Sequence, residues 1–371
     1  MIILVVIIIF GILISVHELG HFLTARIFGV GIHEFSIGFG PKLLSKISSK
    51  SGTRYTLRLI PVGGYVSMLD EDGLSGNQPS NAGNTPAGKS YASLHVAKRM
   101  LIIVAGGIFN LITGVIFFAI FVFIIRNSLG STVIYDFTDD AVSSYVLKQN
   151  DKILEVNGKK VGISSDAVFR IAWEAVKTPS VEVTGENGEK IVLENVCVVD
   201  LTVLRDGEVL LLEDVPFSSG ESDGFSMAEA DFIVYRDATD VKNIFKHIFY
   251  QTKLSVDQVW AALGGIFTGR VGFESVSGPI GVTNAINQTA NTAGYRFVIY
   301  FAALIAVNVG IFNLLPIPAL DGGKFVFLII EAIRGKPVNP EIEARIHSVG
   351  MLLLLFLAVI VAIQDTLGIF R

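Results

Sequence analysis

The sequence contains little charge and almost no cysteine. Only 17% of its 371 residues are Asp, Glu, Lys or Arg, and Cys197 is its single cysteine. An intramolecular disulfide is therefore excluded, and we expect Cys197 to be a small buried residue rather than a nucleophile. The net charge of −5 gives no reason to expect a nucleic acid as partner.

Long uncharged apolar runs dominate the chain. Hydrophobic residues make up 51% of it, and a run of about 20 such residues spans the hydrocarbon core of a bilayer. The first run lacks the basic cluster of a cleavable signal peptide, so we expect it to be retained. The sequence thus predicts a polytopic α-helical membrane protein with four transmembrane helices, in residues 2–25, 101–125, 297–320 and 346–363.

Charge is distributed unequally among the three connecting segments. Residues 26–99 hold nine Lys/Arg against four Asp/Glu, and residues 322–346 hold four against three. Residues 127–294 hold 13 against 24. Because basic residues near the ends of spans stay in the cytoplasm, we expect the first and third segments to be cytoplasmic. The middle segment and both termini are then extracytoplasmic.

Two histidines and a glutamate lie inside the first predicted span. A step of four residues is slightly more than one helical turn, so His17 and His21 share a face and can bind one Zn²⁺. Glu18 lies beside that face, where it can act on water as a general base. Ionisable side chains inside a span are costly and usually functional. The motif therefore predicts a metal site within the membrane.

A catalytic zinc site typically has three protein ligands, so the two histidines need one more. Asp321 is the leading candidate because Pro316 and Pro318 end or bend the third span just before it. Backbone freed in this way must find partners in protein or in a water-filled cavity. The other acidic or histidine residues near cytoplasmic span ends are Glu331, Glu341, Glu343 and His347, the last of which could support the ligands.

The first connecting segment contains β-like runs broken by Gly and Pro. Residues 35–65 predict a hairpin that folds back against or into the membrane near the metal. Two interpretations are open: an amphipathic surface hairpin without a role in substrate handling, or an exposed edge that pairs with an extended peptide. Residues 66–92 are rich in Gly, Ser, Asn, Asp and Pro, which predicts a flexible linker.

The middle segment predicts a small α+β domain over residues 131–216. A strand begins at Lys152 and turns at Asn157-Gly158, and residues 165–177 form a helix. Residues 199–215 form a second hairpin, which turns at Asp206-Gly207. After the domain, residues 241–263 predict an amphipathic helix that packs on the domain or lies on the outer leaflet.

These motifs together resemble the bacterial site-2 protease family of intramembrane zinc metalloproteases, of the regulator of sigma-E protease type. The resemblance rests on His-Glu-x-x-His at residue 17, Asn-x-x-Pro-x-Pro-x-x-Asp-Gly at residue 313 and Gly-Phe-Gly at residue 38. The outer domain resembles a PDZ domain, and a single copy is similar to the Gram-positive branch. Residues 179–198 look like an insertion in that domain.

The resemblance implies a role for each matching residue. His17, His21 and Asp321 would bind Zn²⁺ as the cofactor, and Glu18 would be the catalytic base and acid. The residues that would shape the substrate cleft are Asn313, Pro316, Pro318 and Asn308. For Asn308, a hydrogen bond to a neighbouring helix is an equal alternative.

The resemblance also implies substrates and a location. The partners would be single-span membrane proteins already trimmed by another protease, such as anti-sigma factors or remnant signal peptides, within a bacterial plasma membrane. The active site would lie towards the cytoplasm. Three alternatives stay open: a metal-ion transporter, a membrane-anchored PDZ adaptor with a structural metal, and a membrane zinc protease that cleaves soluble segments with a downstream glutamate such as Glu331 as third ligand.

The expected domain organisation follows the spans. It comprises span 1 (1–28), the hairpin region and linker (29–98), span 2 (99–126), the PDZ-like domain (127–217), an amphipathic helix and loop region (218–294), span 3 (295–321), a cytoplasmic loop (322–345) and span 4 (346–364).

Overall fold

A computed structural model describes residues 2–70, 86–184, 189–222, 225–272 and 276–369. The chain divides into two compact units. The first, here the helical unit, comprises residues 1–117 and 277–371. The second, here the sheet unit, comprises residues 118–276. Most of the linker expected at residues 66–92 lies outside the described residues, which resume at residue 86.

The described residues form eight helices and ten strands. In chain order the helices are α1 (Ile2–Ile27), α2 (Val96–Ile124), α3 (Ser164–Glu174), α4 (Val241–Thr268), α5 (Pro279–Ala293), α6 (Arg296–Leu314), α7 (Asp321–Arg334) and α8 (Pro340–Ile369). The strands are β1 (Ile32–Ile47), β2 (Arg54–Met68), β3 (Gly130–Phe137), β4 (Lys152–Val156), β5 (Lys159–Lys160), β6 (Val176–Thr184), β7 (Lys190–Arg205), β8 (Glu208–Ser222), β9 (Phe225–Glu229) and β10 (Phe232–Arg236).

Four helices are long and apolar enough to cross a membrane, as the sequence predicts: α1, α2, α6 and α8. The third is shorter than expected, because α6 ends at Leu314, ahead of the two prolines. The segment predicted as a cytoplasmic loop contains α7, an amphipathic helix that ends at Gly335 in the left-handed conformation. A small buried cluster joins α1 to α6 through Ile9, Leu13, Ala302 and Ala306.

Strands β1 and β2 form a curled antiparallel sheet rather than a simple hairpin. Residues 34–37 of β1 pair on one side with residues 54–57 of β2 and on the other with residues 64–67. Residues 54–57 also pair with residues 44–47, so two bent strands provide four sheet segments. Glycines with positive φ, such as Gly38 at +84°, allow the bends. Residues 64–67 therefore form one edge of this sheet.

The sheet unit is built around β7. The first part of β7 pairs with β6, and its second part pairs with β4, while β8 runs along the other side. A register shift at Asp200 separates the two parts and curls the sheet. Residues 179–198 look like an insertion in the sequence, and those of them that lie in β6 and β7 pair with each other in antiparallel fashion. The core beneath this sheet includes Ile153, Leu201 and Phe217, with Ile171 from α3.

Turn chemistry fixes the two hairpins that the sequence predicts in this unit. Asn157 and Gly158 both have positive φ, as do Asp206 and Gly207, which is the requirement of a two-residue type I′ turn. The strands continue beyond residue 217, where the sequence placed the end of the domain. Strand β10 pairs with β3, so the sheet extends to Arg236. Short strands that pair across about a hundred residues leave no periodic signal in the sequence.

Candidate metal centre

Helix α1 presents two imidazole rings to one point. His17 and His21 are one turn apart, and their Nε2 atoms are separated by 3.2 Å. The rings meet edge to face, with 4.7 Å between their centroids. Only 12% and 11% of the two side chains is exposed. The four-residue spacing of the motif therefore produces the pairing that the sequence predicts.

A carboxylate joins them from the turn between α6 and α7. Pro316 and Pro318 prevent α6 from continuing, and Asp321 is the first residue of α7. Asp321 Oδ2 lies 3.0 Å from His17 Nε2 and 3.2 Å from His21 Nε2. The three side chains thus offer one nitrogen or oxygen atom each, all within 4.8 Å of one another.

Close packing holds the turn that carries Asp321. A Cβ on Gly322 would lie 1.9 Å from the carbonyl oxygen of Leu315, so only glycine fits there. Ala319 has a φ of +78°, and its N–H donates a hydrogen bond of 2.9 Å to His347 Nδ1. His347 therefore supports the turn that positions Asp321, which matches the supporting role considered for it from the sequence.

Helix α2 packs directly against the two histidines. A Cβ on Gly106 would lie 2.4 Å from His21 Nε2 and 2.6 Å from His17 Cε1. A Cβ on Gly20 would lie 2.6 Å from a carbonyl oxygen of α2. His21 Nδ1 is 2.8 Å from the carbonyl oxygen of Ile102. The absence of side chains at these glycines allows α1 and α2 to approach closely enough for α2 to contact the imidazoles.

Asn110 is a polar neighbour of the site that the sequence reasoning missed. It is fully buried in α2, and its Nδ2 lies 3.4 Å from His17 Nδ1. Ile102, Gly106 and Asn110 are four residues apart, so they follow one face of the helix. A signal was present, since Asn110 is the only Asn or Gln in the uncharged run of residues 101–125.

Glu18 faces a small polar cavity shared with the three candidate ligands. The cavity has a volume of about 170 Å³, and Tyr65 and Lys324 also line it. Sheet strand β2 reaches the same place, because a Cβ on Gly64 would lie 3.2 Å from Glu18 Cγ. The edge segment formed by residues 64–67 therefore runs beside the predicted general base.

Polar contacts fix the position of Tyr65 in this sheet. Arg58 Nη2 donates to the Tyr65 hydroxyl at 2.8 Å and to Glu34 Oε1 at 3.1 Å, and its Nε donates to Ser36 Oγ at 2.9 Å. Burial alone would raise the pKa of Glu34, but hydrogen bonds from neighbouring side chains, including Tyr65 and Arg58, hold that pKa below its usual value. Glu34 is therefore a charged anchor for the sheet rather than a proton donor.

The three candidate ligand atoms fit a zinc ion. Zn²⁺ prefers imidazole nitrogen and carboxylate oxygen at about 2.0–2.2 Å in tetrahedral geometry, which places the ligand atoms about 3.3 Å from one another. The observed separations of 3.0–3.2 Å are close to this value. Asp321 Oδ2 is buried without a hydrogen-bond partner among the described residues, although both Nε2 atoms are near it. Ligand atoms that share a cation show this arrangement.

Comparison with known proteins places the chain in a family. A model described as Peptidase family M50 matches residues 5–357, most of the chain. The chain belongs to Peptidase family M50. The match covers the helices that carry His17, His21 and Asp321, and the relatives are named zinc metalloproteases. The chain is therefore a membrane zinc metalloprotease of the site-2 protease family.

Named relatives agree with the M50 assignment. The Bacillus subtilis protein named regulator of sigma-W protease RasP is 30% identical over 439 aligned residues, which cover 98% of each chain. The zinc metalloprotease RasP of Oceanobacillus iheyensis is 26% identical, again over 98% of each chain. The probable protease eep of Enterococcus faecalis is 28% identical over 97% of each chain.

The other acidic candidates for the metal site lie away from the two histidines. Glu331 is on α7, where its carboxylate forms an ion pair with Arg99 at the start of α2. It is therefore engaged by a cation, and the structure brings Asp321 rather than Glu331 to the histidines. Glu341 and Glu343 lie in the first turn of α8.

The predicted substrate residues of this M50 peptidase occupy α6 and the turn after it. Asn308 and Asn313 lie half-buried on α6, and neither lines the cavity beside Glu18. Pro316 is exposed. Pro318 packs against α8, since a Cβ on Gly350 would lie 2.5 Å from Pro318 Cβ. The prolines shape the turn, whereas contact of the asparagines with substrate stays a prediction.

Proposed function

We propose that this M50 peptidase hydrolyses peptide bonds within the transmembrane segments of single-span membrane proteins. The observation that carries the proposal is the convergence of His17, His21 and Asp321 on a polar cavity, although both histidines belong to a helix apolar enough to span a bilayer. A water-containing site at that depth serves a substrate that is itself within the membrane.

His17 Nε2, His21 Nε2 and one Asp321 oxygen hold the zinc ion in this proposal. When bound, zinc polarises the scissile carbonyl and makes water more acidic. The chain contributes the geometry: α1 sets the spacing of the two imidazoles, and the α6–α7 turn delivers the carboxylate.

Glu18 performs the proton transfers. Its carboxylate faces the cavity, removes a proton from the attacking water and later delivers that proton to the leaving amine. Replacing Glu18 by Gln removes the base while preserving the shape of the side chain and every proposed metal ligand. The proposal therefore requires that this variant bind zinc and fail to cleave.

The edge segment of residues 64–67 holds the substrate in an extended conformation. A transmembrane helix hides its carbonyls in internal hydrogen bonds, so it must unwind locally before attack. An exposed sheet edge replaces the lost hydrogen bonds by strand addition. Gly64 places this edge against Glu18, which supports the proposal that the substrate strand pairs here, with Asn313 contacting it from α6.

The sheet unit acts as a PDZ-like size filter in this proposal. It lies with both termini on the extracytoplasmic side, as the excess of Asp and Glu in residues 127–294 favours, and it admits substrates whose outer portion has been trimmed. A full-length single-span protein should be cleaved more slowly than its trimmed form. Equal rates for the two forms would show that no filter exists.

The decisive experiment uses the full chain in lipid vesicles with a trimmed single-span protein, and mass spectrometry locates the cleavage site. We expect cleavage within the apolar segment, complete loss of cleavage in Glu18→Gln with zinc content unchanged, and reduced cleavage with zinc unchanged in Asn313→Leu. Cleavage confined to soluble segments would contradict the proposed function. In cells, membrane fragments that accumulate in a Glu18→Gln strain identify the physiological substrates.

A further inference from the structure

Asn110 has an unusual position for a polar residue in an apolar helix. It is fully buried, and its Oδ1 has no hydrogen-bond partner among the described residues. Its amide nitrogen, Nδ2, lies 3.4 Å from His17 Nδ1. A buried amide with an unused acceptor is costly. Because the amide lies beside His17, a hydrogen bond to His17 would offset this cost.

The ring nitrogens of a zinc-binding histidine have opposite requirements. The nitrogen that binds metal must offer a lone pair, so in the neutral ring the other nitrogen carries the proton and needs an acceptor. His21 meets this requirement. Its Nε2 faces Asp321, and its Nδ1 can donate to the carbonyl oxygen of Ile102 at 2.8 Å. Helix α2 thereby sets the tautomer and the orientation of the His21 ring.

His17 needs the same arrangement on its own Nδ1. Its Nε2 faces Asp321 at 3.0 Å, which leaves Nδ1 to carry the proton. The group opposite Nδ1 is the Asn110 amide, whose oxygen and nitrogen ends exchange places by a half-turn. With Nδ2 towards the ring, two donors would face each other. With Oδ1 towards the ring, the unpartnered acceptor receives the Nδ1–H.

We propose that Asn110 is a positioning residue that accepts a hydrogen bond from His17 Nδ1–H through Oδ1, and so holds His17 in the tautomer that binds zinc. The proposal rests on the proposed role of His17 as a ligand. It gives α2 one function for both histidines: a backbone carbonyl serves His21, and a side-chain carbonyl two turns later serves His17. Gly106 lies between them and leaves room for both rings.

The neighbouring polar residue of α2 provides a matched control. Thr113 Oγ1 donates to the carbonyl oxygen of Phe109 at 2.8 Å, which is a contact within its own helix. Thr113→Val therefore removes a hydroxyl from the same span without touching a histidine. A general effect of polarity in α2 would appear in Thr113→Val and in Asn110→Leu alike, whereas a specific effect on His17 appears only in the latter.

The experiment measures metal affinity of the full-length chain in detergent by competition with a chromophoric chelator, together with the visible spectrum of the cobalt-substituted protein. Asn110→Leu keeps the size and removes the acceptor. We expect its zinc affinity to fall by about 10- to 100-fold, as is typical when the partner of a ligating histidine is removed. The cobalt bands should shift as well. Asn110→Asp keeps an acceptor at the same place, so its zinc affinity should equal or exceed that of the unaltered chain.

Two outcomes would overturn the proposal. One is an unchanged zinc affinity in Asn110→Leu, and the other is an equal loss in Asn110→Leu and Asn110→Asp, which would assign the role to packing or to the NH₂ group. Asn110→Asp alone decides the matter if the leucine variant does not fold. These results are independent of the proposed function, whose failure appears as a zinc-loaded, unaltered chain that does not cleave membrane substrates.

Discussion

Both units bury polar side chains, but they satisfy them differently. In the sheet unit, Arg170 is 5% exposed and its guanidinium reaches Asp166 at 2.9 Å and Asp257 at 2.5 Å. Arg205 contacts the buried Asp151 at 2.6 Å in the same way. In both pairs the buried charge has an opposite charge beside it, so the cost of its burial is offset within the chain.

In the helical unit, the cluster formed by His17, His21 and Asp321 is incomplete. Asp321 Oδ2 lies 3.0 Å from His17 Nε2 and 3.2 Å from His21 Nε2, and it has no hydrogen-bond partner among the described residues. Such a cluster is completed by a metal ion rather than by a neighbour. The comparison teaches that burial alone does not mark a functional site. The useful signal is a buried polar group whose partner is missing from the chain.

The largest effect should follow removal of the carboxylate from the incomplete cluster. Asp321→Ala removes one of the three proposed protein ligands. Because zinc binding is typically worth about 10–16 kcal/mol in total, we expect the loss of one ligand to lower the zinc affinity by more than about 100-fold. Zinc content after dialysis measures the loss. Glu331→Ala is the matched control, since Glu331 pairs with Arg99. Greater zinc loss in Glu331→Ala than in Asp321→Ala would reverse the ligand assignment.

Removal of Arg170 from its ion pairs with Asp166 and Asp257 should lower the stability of the sheet unit without changing the zinc content. Arg170→Met leaves Asp166 buried without its cation, which costs about 3–5 kcal/mol. Burial already raises the pKa of Asp166, with Arg170 as the main opposing influence. The variant's deficit should therefore shrink as the pH falls and Asp166 becomes protonated. Thermal unfolding and hydrogen exchange of α3 measure the effect.

The exposed Lys159 supplies the control for Arg170. Lys159 is 60% exposed and pairs with Glu174 at 2.9 Å, so Lys159→Met should change stability by less than about 1 kcal/mol. If both substitutions destabilised the sheet unit equally, burial would not be the property that distinguishes them. If Arg170→Met lost zinc, the prediction that this substitution affects stability alone would be wrong.

A small added group should damage the incomplete cluster without removing any ligand. Gly106→Ala places a methyl group 2.4 Å from His21 Nε2, so the rings or α2 must shift, at a cost of about 1–3 kcal/mol. Zinc affinity should fall by roughly tenfold or more. In Gly107→Ala the added methyl group meets α6 instead, at 2.8 Å from Leu314 Cγ and 3.0 Å from the carbonyl oxygen of Gly310, so zinc affinity should fall less than in Gly106→Ala. An unaffected Gly106→Ala would mean that the histidine rings are not confined by α2.

The sequence predicts the candidate ligands but not the residues that surround them. His17, His21 and Glu18 follow from local helical periodicity, and Asp321 follows from the prolines before it, because each signal lies within about one turn of the residue concerned. Helix α7 lies between two predicted spans, in a segment that the sequence predicts only as a connecting loop, and its first residues, Asp-Gly-Gly, are typical of turns.

The sequence indicates the contacts between secondary-structure elements less clearly. Gly106 and Asn110 matter because α2 lies against α1, and a single sequence does not state which helices pack together. The curled β1–β2 sheet was predicted only as a hairpin, because the second pairing of residues 34–37 depends on how the strands bend. A lone amide in an apolar span was the one clue that could have been used for Asn110.

The smallest expected effect concerns a completed cluster that contains a histidine. His247 is 3% exposed in α4, and its Nε2 lies 2.9 Å from Asp237 Oδ2, which also pairs with Lys246. Burial lowers the pKa of His247 below 6.5, with Lys246 adding to the effect, although Asp237 opposes it. The folded state therefore takes up a proton less readily than the unfolded state.

The sign of the resulting pH dependence follows from this difference. Above pH 6.5 His247 is neutral in both states and its contribution is constant. As the pH falls below 6.5, the unfolded state binds the proton first, so stability declines, by at most about 1.4 kcal/mol per pH unit. The protection factors of α4 amides in the full chain, which correct for the pH dependence of intrinsic exchange, should fall below pH 6.5, and His247→Gln should reduce this dependence while leaving zinc content unchanged. His247, which has an aspartate as its hydrogen-bond partner, should then differ from His17 and His21. Acid should lower the local stability around His247 without changing the zinc content. A slope just below pH 6.5 that persists in His247→Gln would exclude His247 as its source, and Asp237 would not explain that slope either, because its lowered pKa moves its own contribution to lower pH.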